Sequence, residues 1–245
     1  MIGVFDSGIG GVTVLKELLK VLPNEDYLYY SDSKYNPYGD KNEDDLKERV
    51  VEVVKYLIDN KCKIIVIACN TASTISEFLR HKFKVLIVAI EPAYKMVYDN
   101  DFNKRTLVMA TRATINSVKF KTLYDKYNNN KTTLLACSGL ANLIEAGNIK
   151  KIDDYLKQKL KSFKDIQCVV LGCTHYPLIK EKIRNILGDV TFYDGSGGVS
   201  RQTKRLLIEH DLINKRGSGK VIFVDSCNSQ IKEKRFFSLL YDLNF

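Results

Sequence analysis

The stretch Val66-Ile67-Ala68-Cys69-Asn70-Thr71 is an apolar, β-branched run that ends in a cysteine followed by two small polar residues. It returns later in the chain as Val170-Leu171-Gly172-Cys173-Thr174-His175. The same offset that lays residue 69 on residue 173 lays Asp6-Ser7, after the run Ile2–Phe5, on Ala110-Thr111, after the run Thr106–Ala110. A short continuous apolar run closed by turn-forming residues reads as a strand buried on both faces. Two aligned matches are few enough to arise by chance. A duplicated strand–polar turn–helix unit accounts for both at once and gives each copy one strand-end cysteine.

Outward from this pair the alternation continues. Tyr27–Tyr30, Lys63–Ala68, Val85–Ala89, Thr132–Ala136, Cys168–Leu171, Val190–Tyr193 and Val221–Val224 read as further strands. Gly11–Val21, Asp44–Asp59, Ser73–His81, Ser117–Tyr127, Tyr155–Phe163, Leu178–Leu187 and Gly198–His210 have helical spacing. Strand and helix in turn predict an α/β fold with mostly parallel sheet covered on both faces, and its chemistry at the carboxyl ends of the strands. Glu91–Arg105 and the glycine cluster Gly195–Gly198 read as linkers, and Asn214–Lys220 as a surface loop. The strand and helix after that loop are placed to return to the first domain. The expected domains are residues 1–94 with 204–245, and residues 95–203.

The chain has 245 residues, 45% of them apolar and 27% charged. That is enough for a sizeable core and unlike a disordered chain. The longest apolar runs, Ile64–Cys69 and Val85–Ile90, are too short to span a bilayer. No basic, apolar leader opens the sequence, so a cytoplasmic protein without membrane association is expected. Six cysteines without a CxxC pair fit reduced thiols better than a disulfide framework. The net charge of +9 raises the question of nucleic acid. The lysines, however, are spread along polar helix faces such as Lys150–Lys164 without interleaved aromatics, the pattern of a solvated surface.

Cys69 lies between an apolar strand and a helix start carrying Thr71 and Ser73. Helix-terminal N–H groups there favour the thiolate. An unperturbed thiol, with a pKa of about 8.5, is mostly protonated near neutrality. Alone, Cys69 reads more readily as a buried core cysteine than as a catalytic one. Cys173 has the same placement, with His175 two residues on and Pro177 in the first helical turn. Inverting a stereocentre by proton transfer takes an acid on one face of the carbon and a base on the other, and two opposed thiols supply both. The turn Gly8-Ile9-Gly10-Gly11 fits neither GxGxxG nor the Walker pattern. It reads as a tight strand-to-helix turn baring N–H groups to a carboxylate, or as a plain helix cap. Asp6 at the end of the first strand is placed to tune a thiol, to hold an ammonium group, or simply to cap the next helix. The turn-rich loop Asn36-Pro37-Tyr38-Gly39-Asp40 follows the second strand. Nothing in these patterns calls for a metal or an organic cofactor.

Six segments carry a resemblance to bacterial glutamate racemase, within the aspartate/glutamate racemase superfamily. They are Phe5–Gly11, Asn36–Gly39, Ala68–Ser73, Glu91–Ala93, Leu143–Gly147 and Leu171–Leu178, in the family's order. The resemblance implies two pseudo-symmetric α/β domains with the active site in the cleft between them, and no cofactor. It also implies interconversion of L- and D-glutamate, supply of D-glutamate for peptidoglycan and hence for the cell wall and cell shape, and a homodimer. Residue by residue, Cys69 would deprotonate D-glutamate and Cys173 L-glutamate, with Asp6 assisting Cys69, and His175 and Glu145 assisting Cys173. Substrate contacts would fall on Asp6, Ser7, Tyr38, Gly39, Asn70, Thr71, Thr174 and His175, with Thr111 and Thr114 matching the family less strictly. The segment Asp194–Gly198 is richer in glycine than the family pattern, and the chain from Ile213 onward matches weakly. Two alternatives remain: a racemase of the same superfamily acting on aspartate or another small amino acid, and a basic binding module whose cysteines are structural.

Overall fold

A computed structural model describes residues 1–242. The elements run β1 (Ile2–Asp6), α1 (Val12–Val21), β2 (Tyr27–Ser31), α2 (Glu43–Asp59), β3 (Ile64–Ile67), α3 (Ser76–Lys82), β4 (Leu86–Ala89) and α4 (Tyr94–Asp101). They continue β5 (Thr106–Ala110), α5 (Arg112–Asn116), α6 (Val118–Tyr127), β6 (Thr132–Ala136), α7 (Leu140–Glu145), α8 (Ile149–Leu160), β7 (Cys168–Gly172) and α9 (Lys180–Leu187). The last are β8 (Thr191–Asp194), α10 (Ser196–Glu209), β9 (Val221–Asp225) and α11 (Gln230–Leu240).

Two parallel sheets result, in the orders β4-β3-β1-β2-β9 and β6-β5-β7-β8. Read from the opposite edge, the second sheet is β8-β7-β5-β6, so its four strands repeat the order β4-β3-β1-β2 with each strand number advanced by four. The predicted α/β class and pseudo-symmetry are therefore realised strand by strand. Phe5 pairs with Ile67 in the first sheet, and Met109 with Leu171 in the second. Cys69 and Cys173 thus leave the sheets at like positions beside β1 and β5.

Each sheet is buried on both faces because its strands alternate between two cores. Ile2, Val4, Ile64 and Val66 pack under α1, α10 and α11, while Phe5, Ile65 and Ile67 pack under α2 and α3. In the second sheet Leu107 and Met109 face α7, α8 and α9, and Val108 and Val170 face α4 and α6. Local chemistry marks several helix starts. The side chains of Asn42, Thr111, Ser117, Asn148 and Ser229 accept a backbone N–H three residues on, and α2 carries Glu43, Asp44 and Asp45 in its first turn, where the helix dipole favours negative charge.

Two expected linkers are helical instead. Tyr94–Asp101 forms α4 inside the stretch 91–105, with Tyr94 and Val97 buried against the second sheet. The glycine cluster opens α10, where Asp194 accepts the N–H of Ser196 at 3.1 Å and supplies the capping that the glycines lack. A Cβ at Gly195 would stand 2.3 Å from the Glu91 carbonyl oxygen, so close packing is what this glycine serves. The helices expected from Ser73 and Leu178 each begin with a 3-10 turn, Ala72–Ile75 and Tyr176–Ile179. Since α10 runs unbroken across 203 and 204 and packs on α1, we propose that the first domain takes all of α10 together with β9 and α11. Residues 243–245, expected in that domain, lie outside the described residues. Among the described residues no helix is long and apolar enough to cross a membrane.

Candidate active site

The carboxyl ends of the central strands of both sheets face each other and are joined by the Thr174–Asp6 and Thr71–Thr111 hydrogen bonds. Cys69 follows β3, and the turn behind it is tied down by Ser73, whose N–H and hydroxyl both donate to the Cys69 carbonyl at 2.9 Å. The sulfur lies 3.8 Å from Ser7 Oγ. Burial pushes the Cys69 thiol well up, and the charges of Asp6 and Cys173 push the same way against the Ala72 N–H and Ser7. These surroundings favour the thiol of Cys69 over its thiolate.

Cys173 leaves β7 into a different neighbourhood. His175 Nδ1 lies 3.7 Å from its sulfur, and the opposite ring nitrogen donates to Glu145 Oε2 at 2.7 Å. Glu145 also accepts the Ile9 N–H at 3.1 Å, and Lys232 Nζ stands 3.5 Å from its other oxygen. Burial alone would lower the pKa of His175, but hydrogen bonds and charge from Cys173 and Glu145 hold it well above the usual imidazole range. Burial opposes the ionisation of Glu145 as well, and the imidazolium, the Ile9 amide and Lys232 overcome it and hold the carboxyl below its usual range. A positive ring therefore sits against one thiol and not the other.

Asp6 joins the two halves. Its Oδ2 accepts the Gly11 N–H at 2.6 Å and the Thr174 hydroxyl at 3.0 Å, while Oδ1 is buried without a hydrogen-bond partner. Burial raises its pKa. The glycine-rich turn acquires a specific reason here. A Cβ at Gly8 would come within 2.5 Å of the Glu145 carboxylate, and one at Gly10 within 2.5 Å of His175 Nδ1. The N–H groups that the sequence suggested were bared to a carboxylate are occupied by the protein's own Asp6 and Glu145.

The remaining candidates lie on both sides of the junction between the two halves. Thr71 Oγ1 and Thr111 Oγ1 are 3.0 Å apart across it, and Thr111 donates onward to Thr114 at 2.9 Å. Gly39 packs on Thr111, where a Cβ would stand 3.2 Å away. Asn70 is buried with both ends of its amide unpartnered. Leaving such groups dry costs about 1–3 kcal/mol, which a polar ligand relieves. Tyr38 is buried, and its hydroxyl donates to Asp32, itself held by Arg49 at 2.7 and 2.8 Å. An open cleft of about 490 Å³ lies beside the thiols; Asn70 and Thr114 reach it, whereas neither sulfur lines it. Among the described residues no group of three or more His, Cys, Asp or Glu is placed to hold a metal ion.

Sequence reasoning missed Asp32 and Arg49, Lys119, which crosses from α6 to Ser76 Oγ at 3.1 Å and Glu91 at 3.1 Å, and the α11 pair Lys232 and Arg235. Arg235 donates to the carbonyls of Ile144 and Glu145. In the sequence Lys232-Glu233-Lys234-Arg235 resembles any solvated charged run.

Two like α/β units, each with a cysteine at the end of a corresponding strand, are the architecture this chain shares with amino-acid racemases, and it is an isomerase of that class. A family model described as Asp/Glu/Hydantoin racemase matches residues 11–197, and the chain belongs to that family. It is 44% identical over 231 residues to a glutamate racemase from Clostridium novyi (strain NT), covering 90% of this chain and 89% of that protein. It superposes on Francisella tularensis glutamate racemase in complex with D-glutamate with a TM-score of 0.81 at 34% identity, over 98% of this chain and 93% of that one. It also resembles Escherichia coli glutamate racemase in complex with L-glutamate and the activator UDP-MurNAc-ala, with a TM-score of 0.85 at 29% identity, over 100% and 95% of the two chains.

Proposed function

We propose that the chain interconverts L- and D-glutamate by proton transfer at Cα between Cys69 and Cys173, without a cofactor. The observation that supports this reading is the pair of thiols leaving equivalent strands of two like sheets whose ends are bonded to each other through Asp6 and Thr174. The relatives named above, two of them holding one or the other enantiomer, support glutamate as the substrate.

In one direction the Cys173 thiolate takes the Cα proton of L-glutamate. The C–H bond breaks, an S–H bond forms, and the electron pair is left on Cα. The Cys69 thiol then delivers its proton to the opposite face. D-glutamate leaves and the two sulfurs have exchanged protonation states. The reverse reaction starts from a Cys69 thiolate. Asp6 and Ser7 serve Cys69, while His175 with Glu145 serves Cys173. Asn70, Thr71, Thr111, Thr114 and Thr174 offer hydrogen bonds to the substrate's ammonium and carboxylate groups, with Tyr38 and Gly39 shaping the wall. The reading extends to a cytoplasmic homodimer supplying D-glutamate for peptidoglycan.

The test is incubation of each glutamate enantiomer with the protein alone, followed by circular dichroism and by deuterium uptake at Cα in heavy water. Loss of the dichroic signal without added pyridoxal phosphate is the expected result. No Cα exchange with either enantiomer would sink the reading, and faster exchange of aspartate run in parallel would change the substrate.

A further inference from the structure

Glu145 ends α7, a helix of six residues. So short a helix is marginal by itself, and its position rests on what it packs against. After it the chain turns through Ala146 and Gly147, the latter at φ +68°. Into this turn comes Arg235 from α11, which packs on α1 and β9 of the first sheet. Its guanidinium donates from Nη2 to the Ile144 carbonyl at 2.6 Å and from Nη1 to the Glu145 carbonyl. A Cβ at Gly147 would stand 3.2 Å from Nη1, so the turn is cut to admit the planar fork. Two donors in fixed geometry grip two successive carbonyls in a way that a single ammonium group does not.

All three groups that hold Glu145 apart from His175 therefore come from the other side of the cleft: the Ile9 N–H, Lys232 and Arg235. Cys69 has its helpers Ser7 and Asp6 on its own sheet. Cys173 has His175 nearby, but the carboxylate that orients His175 is set in place from the first sheet.

We propose that Arg235 is a positioning residue for the Cys173 half of the reaction: it holds Glu145, through the last carbonyls of α7, where the carboxylate orients His175 against Cys173. The proposal rests on the two-thiol reading. It makes the helper system of Cys173 dependent on the two sheets being closed on each other, whereas Ser7 and Asp6 reach Cys69 from its own sheet.

The two enantiomers have equal free energy, so Arg235→Met must lower kcat/KM by the same factor in both directions. A displacement of about 1 Å at Glu145 makes that factor about tenfold to hundredfold. The diagnostic is the primary isotope effect with glutamate deuterated at Cα. Slowing only the Cys173 steps makes removal of the deuteron from L-glutamate more rate-limiting and its removal from D-glutamate by Cys69 less so. The isotope effect should rise for the L enantiomer and fall for the D enantiomer. Arg235→Lys, which keeps one carbonyl bond, should recover most of the rate and shift both isotope effects back toward the parent. A loss of rate or melting temperature with both isotope effects unchanged makes Arg235 a plain helix cap and overturns the proposal, as does a Met variant with parental kinetics. If the Met variant does not fold, the isotope effects of the Lys variant decide by the same signs. Failure of the two-thiol reading would appear separately, as a parent protein without Cα exchange.

Discussion

Cys69 and Cys173 stand at matching ends of matching strands, yet one is surrounded by a serine and a carboxylate and the other by an imidazolium–carboxylate pair. The shared position follows from the backbone, since the two sheets repeat one strand order and both strands end beside a central neighbour. The different neighbours follow from side chains that reach the thiols from elsewhere. Ser7 and Asp6 come from the strand next to β3, while Glu145 comes from a short helix pinned by the opposite half of the molecule. Duplication can thus place two thiols at matching strand ends while the side chains around each diverge independently.

The sharpest way to break this comparison is to remove each thiol. Cys69→Ser and Cys173→Ser should each cut racemisation in both directions by about 10²–10⁴-fold, the usual worth of a positioned acid or base. The remaining thiol still serves one enantiomer. Cys69→Ser should keep Cα deuterium exchange without inversion on L-glutamate, and Cys173→Ser on D-glutamate. Exchange of both enantiomers by one variant would dissolve the assignment of faces.

The imidazolium belongs to one half alone, so its loss should be seen there. His175 is held above its ordinary 6.5, so the stability it supplies is complete below that pH and is lost as pH rises through the folded value. Glu145 is held below its ordinary 4.5, so its share is complete above that pH and is lost as pH falls through the folded value. His175→Gln should therefore cost about 3–5 kcal/mol, the scale for breaking a buried ion pair. The gap in melting temperature from the parent should be widest between pH 4.5 and 6.5 and should narrow at alkaline pH. A gap independent of pH would show that the ring is not held charged.

Smaller still is the effect expected at Gly10, whose missing Cβ makes room for His175. Gly10→Ala should destabilise by about 1–3 kcal/mol through overpacking and should slow the reaction, with isotope effects moving in the sense of the Cys173 half. Least of all, Thr71→Val removes one hydroxyl from the 3.0 Å contact with Thr111 across the cleft. About 0.5–1.5 kcal/mol is the expected loss. It should appear mainly in KM, since this contact lies at the cleft wall shared by both halves.

All nine strands of the described residues, and the repeat, were legible because buried parallel strands are short β-branched runs and their ends carry turn residues. The thiols, Asp6 and His175 were legible for the same reason, each lying within a few residues of a strand end. Glu145 was reached through the resemblance in Leu143–Gly147, since a six-residue helix between glycines has no periodicity to read. The charged run that contains Arg235 differs in no local respect from the solvated lysines of α8. The glycines at 195–198 were misread because a hinge and a tightly packed helix start use the same residue for opposite ends.

The amino-acid sequence by itself determined the α/β alternation, the doubling of the strand–turn unit and the placing of one cysteine at the end of a strand in each copy. Periodicity and strand-end chemistry are local, and a single chain displays them. Only the tertiary structure decided which side chains surround each sulfur: Glu145 behind His175, Thr174 on Asp6, Arg235 in the turn after α7. These contacts join residues up to 168 positions apart, and neither period nor motif links residues so distant. They also depend on glycine Cβ positions left vacant so that the other half can approach, a requirement that exists only once the two sheets face each other.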